Sequence, residues 1–268
     1  MNNSKLKKQG NVFIQRKIIF TLTILSIMAL YFMAVNTTNY NFVGGLLSVP
    51  RAIYWMIQNL VPTEDSWARL PTIFDRLFET VLVSVAVTVS AATCALLFSL
   101  FGTRTLKVNV VINKIVRLIA GVFRAIPEVV WAILLVFSFG QNAFTGFFAL
   151  FFTTFGLLTR SFIEAIDEVS GDCVEALQAT GASNLQIVFQ GVIPSSISIV
   201  LSWVLYMIET NIRAATLIGL LTGSGIGALF SLYYGRMDWG SAALVVLFTA
   251  IVVVIIELGS NQIRKVIL

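Results

Sequence analysis

The chain has 268 residues, 57% of them apolar and only 12% charged, with a mean hydropathy of +0.90. A soluble domain carries roughly twice that share of charge, so a polytopic helical membrane protein is indicated and a water-soluble enzyme is not. The net charge of +5 is read as an orientation signal, not as a nucleic-acid footprint. Histidine is absent, which removes imidazole acid–base chemistry and His-based metal sites. The two cysteines, Cys94 and Cys173, fit neither a disulfide framework nor a zinc spacing. No cofactor, metal or nucleic acid is expected.

Lys5, Lys7, Lys8, Arg16 and Lys17 precede the first apolar run, IIFTLTILSIMALYFMAV (18–35). That run is longer than a signal-peptide core and is followed by NTTNYNF, with no small-x-small site, so it predicts an uncleaved signal anchor. Residues 36–70 then form a longer loop with Pro50 and Pro62, closed by Pro71. Its amphipathic piece RAIYWMIQNL would place Tyr54 and Trp55 at the membrane interface. Five further spans are expected near 77–101, 118–139, 143–163, 195–221 and 241–258. GQNA alone separates the third span from the fourth, which predicts a tight helical hairpin.

With the N-terminus inside, twelve Lys and Arg fall in cytoplasmic segments: Lys5, Lys7, Lys8, Arg16, Lys17, Arg104, Lys107, Lys114, Arg117, Arg160, Arg264 and Lys265. Four fall outside, namely Arg51, Arg69, Arg76 and Arg236, and Arg124 and Arg213 lie within spans. The excess predicts both termini in the cytoplasm. The polar stretch between the fourth and fifth spans is then cytoplasmic too. Asp172 and Glu175 have capping-box spacing, predicting a helix that starts near Cys173. Gly181 can end it in a left-handed conformation. Ser183 and Gln186 repeat the box for a second helix, and Pro194 marks its far boundary or the entry of the next span. Helices this short need a surface to pack on. The membrane domain itself or a separate protein could supply it.

EALQATGAS (175–183) followed by GVIP (191–194) resembles the EAA loop of ABC-importer permeases. In that family the loop forms coupling helices that dock in a groove on a cytoplasmic ATP-hydrolysing subunit. The resemblance places Glu175, Ala176, Leu177, Gly181 and Ser183 at the ATPase-coupling surface. Gly191 departs from the pattern, which usually has isoleucine there. DRLFETVLVSVAVT, FRAIPEVVWAILLVFSFG (123–140) and LYMIETNIRAATLIGLLTGSGIG (205–227) are similar to segments of phosphonate ABC transporter permeases.

Arg124 and Glu128 are four apart in one span, as are Glu209 and Arg213 in another, a spacing at which helical neighbours pair. These groups either line an anion pathway or form structural ion pairs that fix helix packing. Pro127 predicts a kink or break beside Arg124, and irregular backbone in a membrane must be buried or line a cavity. GLLTGSGIG, with Gly223, Gly225 and Gly227, lacks the Lys-Ser/Thr ending of a phosphate-binding loop. It reads as a packed outer gate or a tight re-entrant turn.

The expected fold is an all-α integral membrane protein with six transmembrane helices, resembling a type I ABC-importer permease. Residues 1–70 would form a tail, anchor span and outer loop, and 71–268 a five-span core with its coupling loop at 164–194. The resemblance implies a non-enzymatic permease subunit for phosphonates or related phosphorus oxyanions; the alternatives are a permease for another small solute such as methionine, or an ATP-independent carrier. It also implies two copies of an ATP-binding subunit, a second permease chain, an extracytoplasmic substrate-binding protein and a bacterial inner-membrane lipid setting. No catalytic residue is expected.

Overall fold

A computed structural model describes residues 3–38, 41–106 and 109–267. Lys107 lies outside the described residues, as do the side chains of Lys5, Lys7 and Lys8. The described residues fold into twelve α-helices and one π-helical turn.

The chain divides into two compact units, Met1–Asn59 and Leu60–Leu268. In the first, α1 (Asn3–Thr38) contains a 26-residue apolar stretch, Phe13–Thr38, with no buried residue. A helix apolar on every side and long enough to span is matched to lipid. The expected amphipathic piece extends upstream into α2 (Phe42–Asn59), with Pro50 inside the helix. The Asn41 side chain accepts from the Gly44 N–H at 2.8 Å and caps its start.

The second unit begins eleven residues earlier than the expected boundary at 70/71. The reason lies in α3 (Glu64–Trp67) and Arg69. Ser66 is buried against Gly240, where a Cβ would lie 2.6 Å from its hydroxyl. Arg69 pairs with Asp238, donates to the Ser241 hydroxyl at 3.0 Å and lies 5.1 Å from the Tyr233 ring centre. Asp238 also accepts from the Ser241 N–H at 3.2 Å, capping the final helix. Burial works to raise the Asp238 carboxyl. The Ser241 hydrogen bonds and the Arg69 charge outweigh it and hold the group below its usual pKa.

Among the described residues, five helices are long and apolar enough to cross a membrane, and a bent helix pair, counted as one span, makes six. In the second unit α4 (Leu70–Gly102) starts with Pro71 in its first turn, where the missing N–H has no consequence. The expected span 118–139 is two helices, α5 (Val110–Ala125) and α6 (Glu128–Phe139), bent by 87°. α7 (Ala143–Val169) follows and is the most deeply packed element, with fourteen buried residues. After α8 (Gly171–Ala179), the short α9 (Asn184–Gln186) runs through a π-helical turn (Ile187–Val192) into α10 (Ile193–Thr222). α11 (Gly225–Gly235), in a stretch expected to be outer loop, leads to α12 (Trp239–Ile267).

Small residues let these helices approach closely, as membrane packing requires. Ala91 and Ala95 of α4 meet Phe155, Leu158 and Phe162 of α7 and Val200 and Met207 of α10, all buried. Ser84 and Thr88 are buried on α4 because each hydroxyl donates to the carbonyl one turn earlier at 2.7 Å. Where α4, α7 and α10 meet, buried Asn211 donates to the Thr88 and Thr154 hydroxyls at 2.9 and 3.0 Å.

Candidate coupling knob and intramembrane polar seam

The knob is built from a corner and two arms. α8 ends at Thr180, and Gly181 takes φ +80°. The Ala182 N–H reaches the Leu177 carbonyl at 3.1 Å and the Gly181 N–H reaches Gln178 at 3.0 Å. This is the paired closure that a left-handed glycine permits. The Ser183–Gln186 capping box forms, with the Ser183 N–H donating to the Gln186 amide oxygen at 2.8 Å. The Asp172 box does not. The helix starts at Gly171, and Asp172 lies within its first turn, where its charge still favours the helix dipole. The second arm is no separate short helix either. It opens a continuous 39-residue helix, Asn184–Thr222. The wide π-helical turn and the hydroxyls of Ser195 and Ser196, which donate to Gly191 and Val192 carbonyls, accommodate Pro194 without a stop.

Val174, Ile187, Val192 and Ile166 form a buried cluster beneath the corner, flanked by Leu100, Leu106, Leu177 and Ala182. Gly191 is buried where α8 crosses the π-helical turn. A Cβ there would lie 2.8 Å from Leu177 Cδ1 and 3.4 Å from Cys173 Sγ. The arms thus approach more closely than a branched residue permits. On the outside, Leu185 and Phe189 are 71% and 66% exposed, one turn apart, and Glu175, Ala176 and Gln178 of α8 are exposed as well.

Asp167 anchors the root of the knob. It accepts from the Thr103 hydroxyl, the Arg104 N–H at 2.8 Å and the Thr105 hydroxyl at 3.2 Å. Arg117 of α5 pairs with its other oxygen at 2.9 Å and also donates to the Gly102 carbonyl at 3.0 Å. One carboxylate therefore joins the ends of α4 and α7 to α5, four residues before α8 begins.

The break between α5 and α6 falls at Ile126–Pro127, as the proline predicts. Gly156 lets α7 press on the last turn of α5, with a Cβ position 2.6 Å from the Arg124 nitrogen. Phe123 and Trp131 stack across the bend at 5.6 Å, both against Phe152. The bend alters the reading of Arg124 and Glu128. They sit on different helices and form no ion pair among the described residues. Arg124 occupies the last turn of α5 and Glu128 the first turn of α6, so each complements a helix dipole.

The glycine stretch is a tight corner. Gly223 and Gly225 have φ of +66° and +57°. α11 folds back on α10 at Gly219 and Gly227, where a Cβ on Gly227 would lie 2.2 Å from the Thr216 carbonyl oxygen. The Ile226 N–H is taken by Thr80 at 2.8 Å and the Ser224 N–H by the Gly219 carbonyl at 3.2 Å.

Glu209 is buried at 8% exposure and accepts from Arg213 at 2.6 Å, the i,i+4 pair expected. It also takes a second partner, Arg264 of α12, at 3.4 Å. Arg264, expected in the inner terminal segment, stands in the last turn of α12 and reaches the Glu209 side chain of α10 from there.

Residues 95–267, more than half of the chain, match the model of the binding-protein-dependent transport system inner membrane component family. The chain belongs to this family. Among curated proteins, the phosphite transport system permease protein PtxC of Stutzerimonas stutzeri is 27% identical over 189 residues, covering 70% of this chain and 69% of that one. An Escherichia coli K12 protein named as a cryptic phosphonate transport system permease protein, PhnE2, is 34% identical over 118 residues, 44% of this chain and 96% of that one. Among solved structures, the inward-facing MetNI methionine ABC transporter superposes with a TM-score of 0.58 at 18% identity. It covers 70% of this chain and 94% of the other. At that identity the likeness concerns the fold.

This inner membrane component is thus a multi-pass permease subunit of all-α, ABC-importer-like fold, whose family serves transport systems that depend on a binding protein. The knob gathers Glu175, Ala176, Gly181 and Ser183 on its exposed face, whereas Leu177 turns inward to pack the corner. Gly223, Gly225 and Gly227 share one corner, and Glu209 and Arg213 one ion pair. Sequence spacing missed Gly219, Asp167, Asn211 and Arg264. Gly219 carried a visible signal as the first glycine of GLLTGSGIG, and Asn211 as a polar residue within a span.

Proposed function

We propose that the chain is the translocating subunit of an ATP-driven importer for phosphonates or related phosphorus oxyanions. The observation that carries this reading is the likeness to a phosphite permease along 70% of the chain. Two copies pair to enclose the pathway, and two ATPase subunits seat on the knobs through Glu175, Ala176, Gly181 and Ser183, with Leu177 holding the corner behind them. A binding protein delivers the anion from outside, and hydrolysis belongs to the partner, so this subunit is not itself an enzyme. Both termini face the cytoplasm. Setting Arg264 aside leaves eleven inner against four outer basic residues, which still supports that orientation. The corner of Gly223, Gly225 and Gly227 acts as the outer gate. Arg124, Pro127 and Glu128 at the broken span and Glu209 and Arg213 on α10 flank the route.

The test is uptake of phosphite, methylphosphonate and phosphate by proteoliposomes holding the whole transporter, with methionine as competitor. Uptake is expected to need ATP and to resist methionine. Glu175→Arg is expected to release the ATPase subunit and abolish uptake. Uptake of none of the three anions, or a Glu175→Arg variant that keeps its ATPase and full transport, would sink the reading.

A further inference from the structure

We propose that Arg213 and Arg264 form an intramembrane binding site for a phosphorus oxyanion, with Glu209 as its resident competitor. The site rests on the importer reading above and supplies it with an anion-recognising centre. Glu209 lies sixteen residues into the thirty of α10, so it is about 24 Å along the helix from Ile193 and about 20 Å from Thr222. Glu209 and Arg213 therefore lie far from both ends of α10, and Arg264 reaches them from the last turn of α12.

A structural ion pair would match one cation to one carboxylate. Here two guanidinium groups share the single buried carboxylate of Glu209, at 2.6 and 3.4 Å, and positive charge is left over. The surplus is directed into open space. Arg213, half exposed, lines a cavity of about 400 Å³ between α10, α11 and α12, with Thr216 and Thr249 beside it. Arg264, with Lys265, Asn261 and Gln262, borders open space along the last two turns of α12. The Arg264 Nε is buried and has no hydrogen-bond acceptor. The other acid nearby, Glu257, is exposed two turns earlier on α12 and forms no ion pair among the described residues. Arg213, Arg264 and Lys265 against Glu209 and Glu257 still leave one positive charge.

Guanidinium forks match the spacing of phosphoryl oxygens, and cations within a membrane span need a counter-anion. A phosphorus oxyanion supplies it, bridging the two arginines from which Glu209 is displaced. Because Glu209 competes for the same donors, binding stays weak enough for release, as conduction demands.

The test is equilibrium binding of radiolabelled phosphate and methylphosphonate to the purified permease–ATPase complex without the binding protein, alongside uptake by the full transporter. Glu209→Gln removes the competitor and is expected to tighten binding several-fold while slowing release and turnover. Arg264→Gln is expected to weaken binding about tenfold or more, with Arg264→Lys recovering part of it. A purely structural pair predicts the opposite for Glu209→Gln, with phosphate binding unchanged or weaker, and that result overturns the site. The Glu209→Gln arm removes no cation, so it decides the matter even where Arg264→Gln does not assemble. If wild type imports phosphorus oxyanions but both Gln variants bind them with wild-type affinity, the site fails and the importer reading stands. A wild-type complex that imports none of them overturns the importer reading itself.

Discussion

Restoring the usual isoleucine at Gly191 should uncouple this transporter. The position is buried between the arms of the knob, with Leu177 Cδ1 2.8 Å from where a Cβ would stand. Alanine adds one carbon against the end of a flexible leucine, which can give way by a few tenths of an ångström. Leaving glycine also favours a helical segment by up to about 1 kcal/mol, so Gly191→Ala should be close to neutral. Isoleucine adds three more carbons and a stiff χ1, and overpacking of this kind costs about 1–3 kcal/mol. α8 has nine residues and is anchored inward mainly by Val174 and Leu177, so α8 is the element that will shift.

The assay is the number of ATP molecules hydrolysed per anion transported, measured on the reconstituted complex, with thermal unfolding in detergent alongside. Gly191→Ala should match wild type, and Gly191→Ile should hydrolyse more ATP per transported anion and melt earlier. Leu177→Ala in the Gly191→Ile background removes carbon where the isoleucine intrudes and should restore part of both. That coupling between the two positions is what a double-mutant cycle measures. A Gly191→Ile protein as stable and as tightly coupled as wild type would refute the reasoning, as would a double variant worse than either single one.

The other expectations are simpler. Gly227→Val places carbon against the backbone of α10, which cannot move aside as a side chain can, and should reach or exceed the upper end of about 1–3 kcal/mol. Gly121→Ala on α5, with nothing within 4 Å of its Cβ position, should melt at the wild-type temperature or slightly above and serves as the control. For Asp238, whose folded pKa is depressed, the stabilisation is fully present above the unfolded carboxylate value of about 3.9. It is lost as pH falls through the lower folded value. Thermal melts from about pH 2 to pH 7 should show a flatter acid limb for Asp238→Asn than for wild type, and Arg69→Met should flatten it in the same direction.

Much of the fold was legible because membrane helices announce themselves by length and apolarity, and because proline and glycine act locally. Pro127 marked the break and Gly181 the corner, each through its own backbone chemistry. The size of the bend was not legible. An 87° turn depends on Gly156 admitting α5 against α7 and on Phe123 meeting Trp131, contacts between residues distant in sequence. α11 was missed for a related reason. Its glycines resemble loop punctuation, and their helical use appears once Gly219 and Gly227 are seen to bring two backbones together.

The charges show how far local spacing carries. The four-residue rule holds for Glu209 and Arg213 because one unbroken helix carries both. It fails for Arg124 and Glu128 because the proline between them ends the helix on which the rule depends, turning a would-be pair into two dipole caps. Arg264 escapes it for a third reason: its partner lies 55 residues earlier, on a helix that α12 reaches by packing. Its neighbour Lys265 and its place near the end of the chain made it look like an orientation signal. An arginine within reach of a buried carboxylate that already has one cation is a different object, because only such an arrangement leaves charge for something else to neutralise.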